Sequence, residues 1–457
     1  MRRKAVWLSS LPLGILSIGV VVITSISQTN IAQGCVNFWI NPQTGEQECL
    51  DRQTSPSSPS TTNSPSTRET RPASSPGNRT QNRDQVIVND RSSAGMNERQ
   101  ILDASPHINP LSPPNTDAVR PAQQLQNTPG VKPAAESDNA ESSNTEPRAF
   151  GSFSVPYTAA RVEHLPTGNI ASNNGGYLSA TYPYRAIGRL TFQDDSGSFT
   201  CSASLIRRSV IVTAAHCIQD FGSGNDTFRR WTFTPAFHDG SAPYGSWSWR
   251  VMVRPSSWTN GTDTGSGAAR NNDLAVMALG RNSSNQFIGD LTGWLNYGWN
   301  NYSFVSHPRT GNLAVAALSA LGYPGLLDQG RIMQRSDGPS YLTTVSGASQ
   351  IYQGSTFTGG ASGGPWIANF KYKDPVFSNG AGPGDSAANN VIVGVTSWGA
   401  ANPNTPKDNY SSQFGQNSEY PNASYGTYGA GNIGSLLNTL CSFVTGGSTL
   451  ADQGYCD

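Results

Sequence analysis

The stretch from Asp51 to Arg148 constrains the fold of this chain more than any other feature. It contains no Trp, Tyr, Phe or Cys, and it is rich in Pro and Ser, as in the run at 55–60. Ordering a backbone costs about 1–2 kcal/mol per residue, and this composition offers too little apolar surface to offset that cost. We therefore expect residues 51–149 to be disordered. The apolar patch Val86-Ile87-Val88 is too short to change that expectation, so the compact domain must lie in residues 150–457.

The charge balance argues against a protein that coats nucleic acid or an anionic membrane surface. The chain of 457 residues carries 30 Lys and Arg against 30 Asp and Glu, so its formal net charge is zero. Proteins that coat nucleic acid or bind anionic membranes through their surface need a basic excess. We therefore expect no nucleic-acid partner.

The first 34 residues have the order of a secretory signal. A basic run, Arg2-Arg3-Lys4, precedes an apolar stretch from Ala5 to about Ile26, and small polar residues follow. Residues 1–34 are therefore predicted to direct the chain outside the cytoplasm, to an extracellular or periplasmic location. Two alternatives stay open. The stretch is long enough to remain as a membrane anchor, and Cys35 after Gly34 weakly suggests a lipoprotein site.

The six cysteines fall into pairs that are close in sequence. Outside the cytoplasm disulfides persist, so local pairing is favoured, although six cysteines allow fifteen pairings. Residues 35–50 then form a short Cys-paired segment. The three local pairs are Cys35 with Cys49, Cys201 with Cys217, and Cys441 with Cys456.

Residues 150–457 have the pattern of an all-β domain. Short apolar runs recur between Gly, Asn, Asp and Ser, which favours a barrel or sandwich, and about 300 residues suit two small barrels better than one. A helical spacing runs from Ile433 to Val444. The predicted strand runs are 187–192, 202–206, 210–214, 231–237, 247–253, 274–279, 313–321, 331–334, 365–368 and 391–398.

Three motifs carry residues that suit nucleophilic catalysis. They are Thr213-Ala214-Ala215-His216-Cys217, Asn272-Asp273-Leu274-Ala275-Val276 and the Gly-rich run at 359–365, which contains Ser362. His, Asp and Ser follow one another at separations of 57 and 89 residues. This chain order differs from that of the subtilisins and the α/β-hydrolases.

The chemistry explains why these residue types are needed together. A serine hydroxyl is a poor nucleophile, so His216 would remove the proton of Ser362 during attack and return it to the leaving group. Asp273 would fix the tautomer of His216 and stabilise its charged form. The glycines allow a sharp turn, so that the N–H groups of Gly360 and Ser362 can form an oxyanion hole.

These motifs resemble those of the chymotrypsin-like (trypsin-like) serine peptidases over residues 186–457. The resemblance implies two six-stranded antiparallel Greek-key barrels with a C-terminal helix and the active site between them. It also implies a Cys201–Cys217 disulfide bracketing the histidine, and a strand at Ser397-Trp398-Gly399 whose backbone aligns the substrate. Pro243-Tyr244-Gly245 and the run at 321–325 are similar to the bacterial glutamyl endopeptidase-like branch.

Some positions depart from the family pattern. Ala361 stands where animal members have an Asp that pairs with a new N-terminus, so activation cannot use that salt bridge. Thr356 stands six residues before Ser362, where trypsins have an Asp. The strand at Thr396 lacks the His of glutamyl-specific members. The sequence therefore predicts neither Arg/Lys nor Glu specificity but a neutral, somewhat polar pocket that includes Thr356, Thr358 and Thr396.

The resulting hypothesis is a monomeric, secreted serine endopeptidase that acts on proteins or peptides without a cofactor. The alternatives are an exported binding protein with the peptidase fold and an esterase-like hydrolase with the same triad. No residue cluster has zinc-ligand spacing, and Asp194-Asp195 is only a weak calcium candidate. A membrane is a partner only if the N-terminal segment stays uncleaved.

Two further expectations concern the remaining histidines and the tail. His107, His164, His238 and His307 are predicted to be surface or loop residues. Residues 51–149 could be a linker or a removable pro-segment, and the Ala361 substitution favours the linker.

Overall fold

The computed structural model describes residues 38–40, 47–49, 84–89, 95–107, 155–163, 177–373, 375–379, 388–399 and 407–457. Its helices are α1 (Glu98–Leu102), α2 (Ser256–Asn260), α3 (Ile288–Thr292) and α4 (Gly431–Cys441). Its strands are β1 (Phe38–Ile40), β2 (Gln47–Cys49), β3 (Asp84–Val88), β4 (Ser105–Pro106), β5 (Thr158–Arg161), β6 (Ile187–Gln193), β7 (Ser198–Arg207), β8 (Val210–Thr213), β9 (Arg229–Pro235), β10 (Trp247–Pro255), β11 (Ala275–Leu279), β12 (Asn296–Tyr297), β13 (Val305–Ser306), β14 (Ala314–Gly322), β15 (Gln334–Val345), β16 (Ala348–Gly354), β17 (Pro365–Ala368), β18 (Val391–Gly399), β19 (Asp408–Gln413), β20 (Val444–Thr445) and β21 (Ser448–Thr449).

The first barrel consists of β6 to β11. The strands are hydrogen-bonded in the order β11-β8-β7-β6-β9-β10, and antiparallel pairing of β10 with β11 closes the ring. The apolar runs that predicted these strands supply the interior, where Leu190, Val212, Phe233 and Met277 are fully buried.

The second barrel consists of β14 to β19. Its order is β14-β17-β18-β19-β16-β15, and β14 pairs with β15 to close it. The expected all-β fold with two six-stranded antiparallel barrels is therefore confirmed. The predicted runs miss β16 and β19 because these strands are polar, with sequences ASQIYQG and DNYSSQ. Hydrogen bonds satisfy part of their buried polar groups, as where Gln350 donates to the carbonyl of Arg270.

The C-terminal helix α4 covers the first barrel, although it follows the second in sequence. Ile433, Leu436, Leu437 and Leu440 are fully buried in the same core as the strands of the first barrel. The predicted helix is confirmed over Gly431–Cys441. Its expected extension to Val444 is wrong, because the helix ends at Cys441 and Val444 lies in β20 with 60% of its surface exposed.

Two segments of the stretch predicted to be disordered are folded against the first barrel. Strand β3 pairs with β10, and Ser105-Pro106 pairs in parallel with β7. Helix α1, between them, is capped reciprocally by Asn97 and Gln100. The expectation of disorder is corrected for residues 84–89 and 95–107. The patch at 86–88 needs no core of its own because it completes the edge of an existing sheet.

Two predicted disulfides are present within the described residues. Cys201 bonds Cys217, and Cys441 bonds Cys456. The predicted Cys35–Cys49 pair lies outside the residues whose side chains the structure describes, as does the predicted signal at 1–34. In the part of the chain that is described, no helix is long and apolar enough to cross a membrane.

Candidate active site

His216 and Asp273 meet at one edge of the first barrel. His216 lies in the turn that follows β8, and Asp273 precedes β11, which pairs with β8 at Thr213 and Ala275. The Nδ1 of His216 lies 2.8 Å from Oδ2 of Asp273, and the backbone N–H of His216 donates to Oδ1 at 3.0 Å. Because the carboxylate accepts, Nδ1 carries the proton, and Nε2 is left as the basic nitrogen. Both side chains are fully buried.

A hydroxyl from the second barrel also holds Asp273. Ser397 donates through Oγ to Oδ2 of Asp273 at 2.5 Å. The sequence predicted only a backbone role for Ser397, in aligning the substrate. Its side chain therefore has a positioning role that the motif did not show, and it ties the two barrels together at the carboxylate.

The loop before Asp273 is fixed by a second buried carboxylate. The oxygens of Asp263 accept from the backbone N–H groups of Asn271 and Asn272 at 3.3 and 2.8 Å. The side chain of Asn272 in turn donates to Glu419. Burial raises the pKa of Asp263 to about 7. A polar cavity of about 340 Å³ adjoins this network and is lined in part by Asn271, Asn272 and Glu419.

Ser362 lies on a turn that only glycines allow. Gly360 and Gly363 have φ of +94° and +78°, and a Cβ on Gly363 would lie 2.0 Å from Oγ1 of Thr213. The carbonyl of Ser362 accepts from the N–H of Ser202 in β7 at 2.7 Å. The N–H of Gly363 donates to Thr396, the residue before Ser397. These contacts bring the turn against both the segment that leads to His216 and the strand that holds Asp273.

The nucleophile and the base are not hydrogen-bonded to each other in this structure. Nε2 of His216 is buried and has no partner among the described residues. The described part of the chain likewise offers no hydrogen bond to Oγ of Ser362. The predicted proton transfer needs that contact, although catalytic hydrogen bonds often tighten only when substrate binds.

The predicted oxyanion hole is in contact with an upstream residue. The N–H of Gly360 donates to the carbonyl of His107 at 2.9 Å, while the N–H of Ser362 has no acceptor among the described residues. His107 was predicted to be a surface or loop residue; it follows strand β4 in a loop but is not at the surface, since it is only 8% exposed. Its ring Nε2–H donates to the carbonyl of His216 at 2.9 Å. Burial, followed by the proximity of His216, lowers the pKa of His107 to about 3, so the ring is neutral.

The predicted substrate-binding residues lie along β18 and the loop before Ser362. Trp398 stacks on Tyr410 with ring centroids 3.8 Å apart, and Gly399 is paired with Asn409. Thr356 is flanked by Ser355 and Phe357, whose backbones bond to residues 407 and 409. These contacts tie the loop around Thr356 to residues 407 and 409, and Asn409 pairs with Gly399.

The hydroxyl oxygens of the other predicted pocket residues, Thr396 and Thr358, accept hydrogen bonds from within the protein. Oγ1 of Thr396 accepts from the indole N–H of Trp366 inside the barrel. The hydroxyl of Thr358 accepts from the N–H of Leu326. Asn409 lies next to these residues, and the sequence did not suggest it. Its side chain lies against Gly399, and its Oδ1 is buried without a hydrogen-bond partner among the described residues.

Two candidate sets of metal ligands lie among the described residues. In the part of the chain that the structure describes, one cluster of three potential ligands lies close together: Cys201, His216 and Cys217. Its two cysteines form a disulfide, so their sulfur atoms are not free to bind a metal. Asp194 accepts from the N–H groups of its own turn, and Asp195 pairs with Arg229. The weak calcium candidate therefore has other partners.

Comparison with known families agrees with this geometry. The trypsin family matches residues 174–413, which is more than half of the chain and spans His216, Asp273 and Ser362. The chain belongs to the trypsin family. The resemblance predicted from the sequence motifs is thereby confirmed.

Two curated relatives match over shorter lengths. A glutamyl endopeptidase of Bacillus licheniformis is 28% identical over 187 residues, which are 41% of this chain and 50% of the relative. An extracellular metalloprotease of Bacillus subtilis is 28% identical over 144 residues, which are 30% of this chain and 41% of the relative. The chain thus spans about half or less of the length of these relatives.

Similar solved structures include two proteases at low sequence identity. A thermostable serine protease from an extremophilic microorganism has a TM-score of 0.39 and 22% identity, and covers 50% of this chain and 92% of its own. A protease of Arthrobacter nicotinovorans has a TM-score of 0.39 and 20% identity, and covers 51% of this chain and 91% of its own. At these TM-scores the family assignment rests on the sequence match.

Proposed function

We propose that this protein is a serine endopeptidase with His216, Asp273 and Ser362 as its catalytic triad. The observation that carries the proposal is the buried Asp273–His216 hydrogen bond at 2.8 Å, in a trypsin-family chain whose Gly-rich turn holds Ser362. Asp273 keeps the proton on Nδ1, so Nε2 can take the proton of Ser362 as the hydroxyl attacks a peptide carbonyl.

The proposed reaction proceeds through an acyl-enzyme. The Oγ–C bond forms as the carbonyl π electrons move onto oxygen, and the N–H groups of Gly360 and Ser362 stabilise that oxyanion. His216 then gives its proton to the leaving amine as the C–N bond breaks. Water, activated by the same histidine, releases the acid and restores Ser362.

The proposed substrates are proteins or peptides with a neutral residue before the cleaved bond. Thr356 and Asn409 are uncharged and polar, and Asn409 lies against Gly399, so we expect neither a cationic nor an acidic side chain to find a counter-charge from these residues. The backbone of β18 at Ser397–Gly399 would pair with the peptide. One chain provides all three triad residues, so the proposal requires no second copy.

We further propose that the protein acts outside the cytoplasm. Two disulfides support this location, because disulfides are rare in reducing compartments. The predicted signal at residues 1–34 would direct its export, and a membrane is a partner only if that segment stays uncleaved.

The rival functions differ in what reacts with Ser362. A binding protein with the same fold would not react covalently, and an esterase would cleave esters but not peptides. The name of the Bacillus subtilis relative raises metal-dependent proteolysis as another alternative.

A fluorophosphonate probe on the purified full chain tests the proposal. We expect peptide mapping to place the label on Ser362, and Ser362→Ala to lose both the label and peptide hydrolysis while keeping its fold. Hydrolysis by Ser362→Ala above the residual acceleration of about 10³–10⁴ over water would contradict Ser362 as the nucleophile. Digestion of a peptide library by the unsubstituted chain then separates an endopeptidase from an esterase.

A further inference from the structure

The segment at residues 95–107 packs on the first barrel, and its last two residues, Pro106 and His107, reach the turn of His216 and the loop of Ser362. We call this segment the latch. The backbone of His107 is bonded at both ends, since its N–H donates to Thr200 at 2.8 Å and its carbonyl accepts from Gly360 at 2.9 Å. Its ring N–H donates to the carbonyl of His216 at 2.9 Å. One residue of the latch thus contacts β7, the turn of the base and the loop of the nucleophile.

The ring of His107 fills an aromatic pocket beside the base. It stacks on the ring of His216 with centroids 5.6 Å apart and planes 22° apart. Three phenylalanines surround it edge-on, at centroid distances of 5.2, 5.8 and 5.5 Å for Phe192, Phe199 and Phe228. Such a pocket suits a planar side chain that has one N–H donor to give to the carbonyl of His216.

The residue before His107 packs against the loops next to the nucleophile. A Cβ built on Gly325 would lie 1.9 Å from Cγ of Pro106, so only glycine leaves room for the latch at that position. A Cβ on Gly360 would lie 3.5 Å from Cβ of Pro106. The latch is therefore seated on the same glycine loop that presents the oxyanion donor.

A buried cation of the first barrel anchors the latch. Arg189 is 1% exposed and donates to the carbonyls of Ile101 and Ala104 at 2.6 and 3.0 Å. It has no carboxylate partner among the described residues. Because a buried guanidinium needs hydrogen-bond acceptors, these two carbonyls give the latch a specific seat.

We propose that the latch is a built-in inhibitor, with the carbonyl of His107 taking the oxyanion donor of Gly360. This inference rests on the proposed function. An N–H that is already bonded to His107 cannot stabilise a tetrahedral intermediate, so turnover requires the latch to leave. Apparent activity then equals intrinsic activity multiplied by the fraction of molecules in which the latch is open.

Two substitutions weaken the latch from opposite sides of its contact. His107→Ala removes the ring and its hydrogen bond, while Gly325→Ala places a methyl group where Pro106 lies. Neither residue belongs to the triad or to the proposed oxyanion hole. The matched control is Arg99→Ala, since Arg99 belongs to the same segment and its side chain is 92% exposed.

The test compares these full-length variants with the unsubstituted chain. We measure the second-order rate of fluorophosphonate labelling at Ser362, kcat/KM on a peptide, and hydrogen exchange of the amides at 95–107. Losing a buried ring and one hydrogen bond should raise the labelling rate and kcat/KM by about tenfold or more. Exchange of the latch amides should become faster in both variants, and Arg99→Ala should behave as the unsubstituted chain.

Each other outcome identifies which idea fails. Equal labelling in all four proteins, despite faster latch exchange in the two variants, overturns the inhibitory role and leaves the proposed function standing. Unchanged exchange in both variants also overturns the proposal, because the latch is then a permanent part of the domain. Release of the latch without labelling at Ser362 in any protein refutes the peptidase function itself. The two variants are independent, so misfolding of one leaves the other as the test.

Discussion

Asp84 offers a sharp test of whether the upstream segment belongs to the folded domain. Its carboxylate is 5% exposed and accepts hydrogen bonds from Tyr420, Ser435 and Thr439 at 2.8, 2.8 and 2.7 Å. Asp84→Ala leaves three hydroxyl donors without this acceptor, at about 1 kcal/mol each. Ser435 and Thr439 can turn back to helix carbonyls, so we expect the free energy of unfolding to fall by about 2–3 kcal/mol.

Urea unfolding followed by tryptophan fluorescence measures the effect. With an m-value of about 3 kcal/mol per molar, the midpoint should fall by about 0.7–1 M. Val88→Ala is the control, because Val88 ends the same strand and is 38% exposed. Its effect should stay within about 0.5 kcal/mol. An Asp84→Ala midpoint equal to that of Val88→Ala refutes the reasoning, since β3 would then not be docked on α4 and β10.

Three further outcomes are expected. Ser397→Ala removes one of the hydrogen bonds to Asp273 and should lower kcat by about tenfold, or about 1.4 kcal/mol, with little change in KM; an unchanged kcat would show that Ser397 does not position the carboxylate. Burial raises the pKa of Asp263 to about 7, so the folded state holds a proton that the unfolded state releases near pH 4. This group's contribution to stability is therefore full below pH 4 and lost as pH rises to about 7, and Asp263→Asn should flatten that part of the stability profile. EDTA should leave turnover nearly unchanged, and complete loss that added metal restores would contradict a mechanism based on Ser362 alone.

The sequence predicted those parts of the site that are local in the chain. His216, Asp273 and Ser362 each lie in a motif of five to seven residues whose chemistry is specific. The apolar runs predicted most strands of the first barrel, because their buried faces are built from aliphatic residues. The i, i+3, i+4 spacing likewise predicted α4 from Ile433 to Cys441.

The features that the sequence missed depend on distant partners. His107 bonds a residue 109 positions away, and no local pattern distinguishes it from a loop histidine. The polar strands β16 and β19 become strands because barrel closure pairs their backbones, which hydropathy does not reveal. The side-chain role of Ser397 also requires Asp273, 124 residues earlier, to be in place.

The position of α4 on the first barrel has a consequence for the order of assembly during synthesis. The strands β6 to β11 leave the ribosome long before the helix that completes their core, and Asp84 and Ser435 are 351 residues apart. Contacts over such separations form slowly, because a long loop must close before they contribute. When His216 and Asp273 have left the ribosome, residues 433–440 of α4, which complete the core of the first barrel, have therefore not yet been synthesised. Until those residues emerge, the first barrel presents uncovered apolar strands, which are the surfaces that chaperones bind.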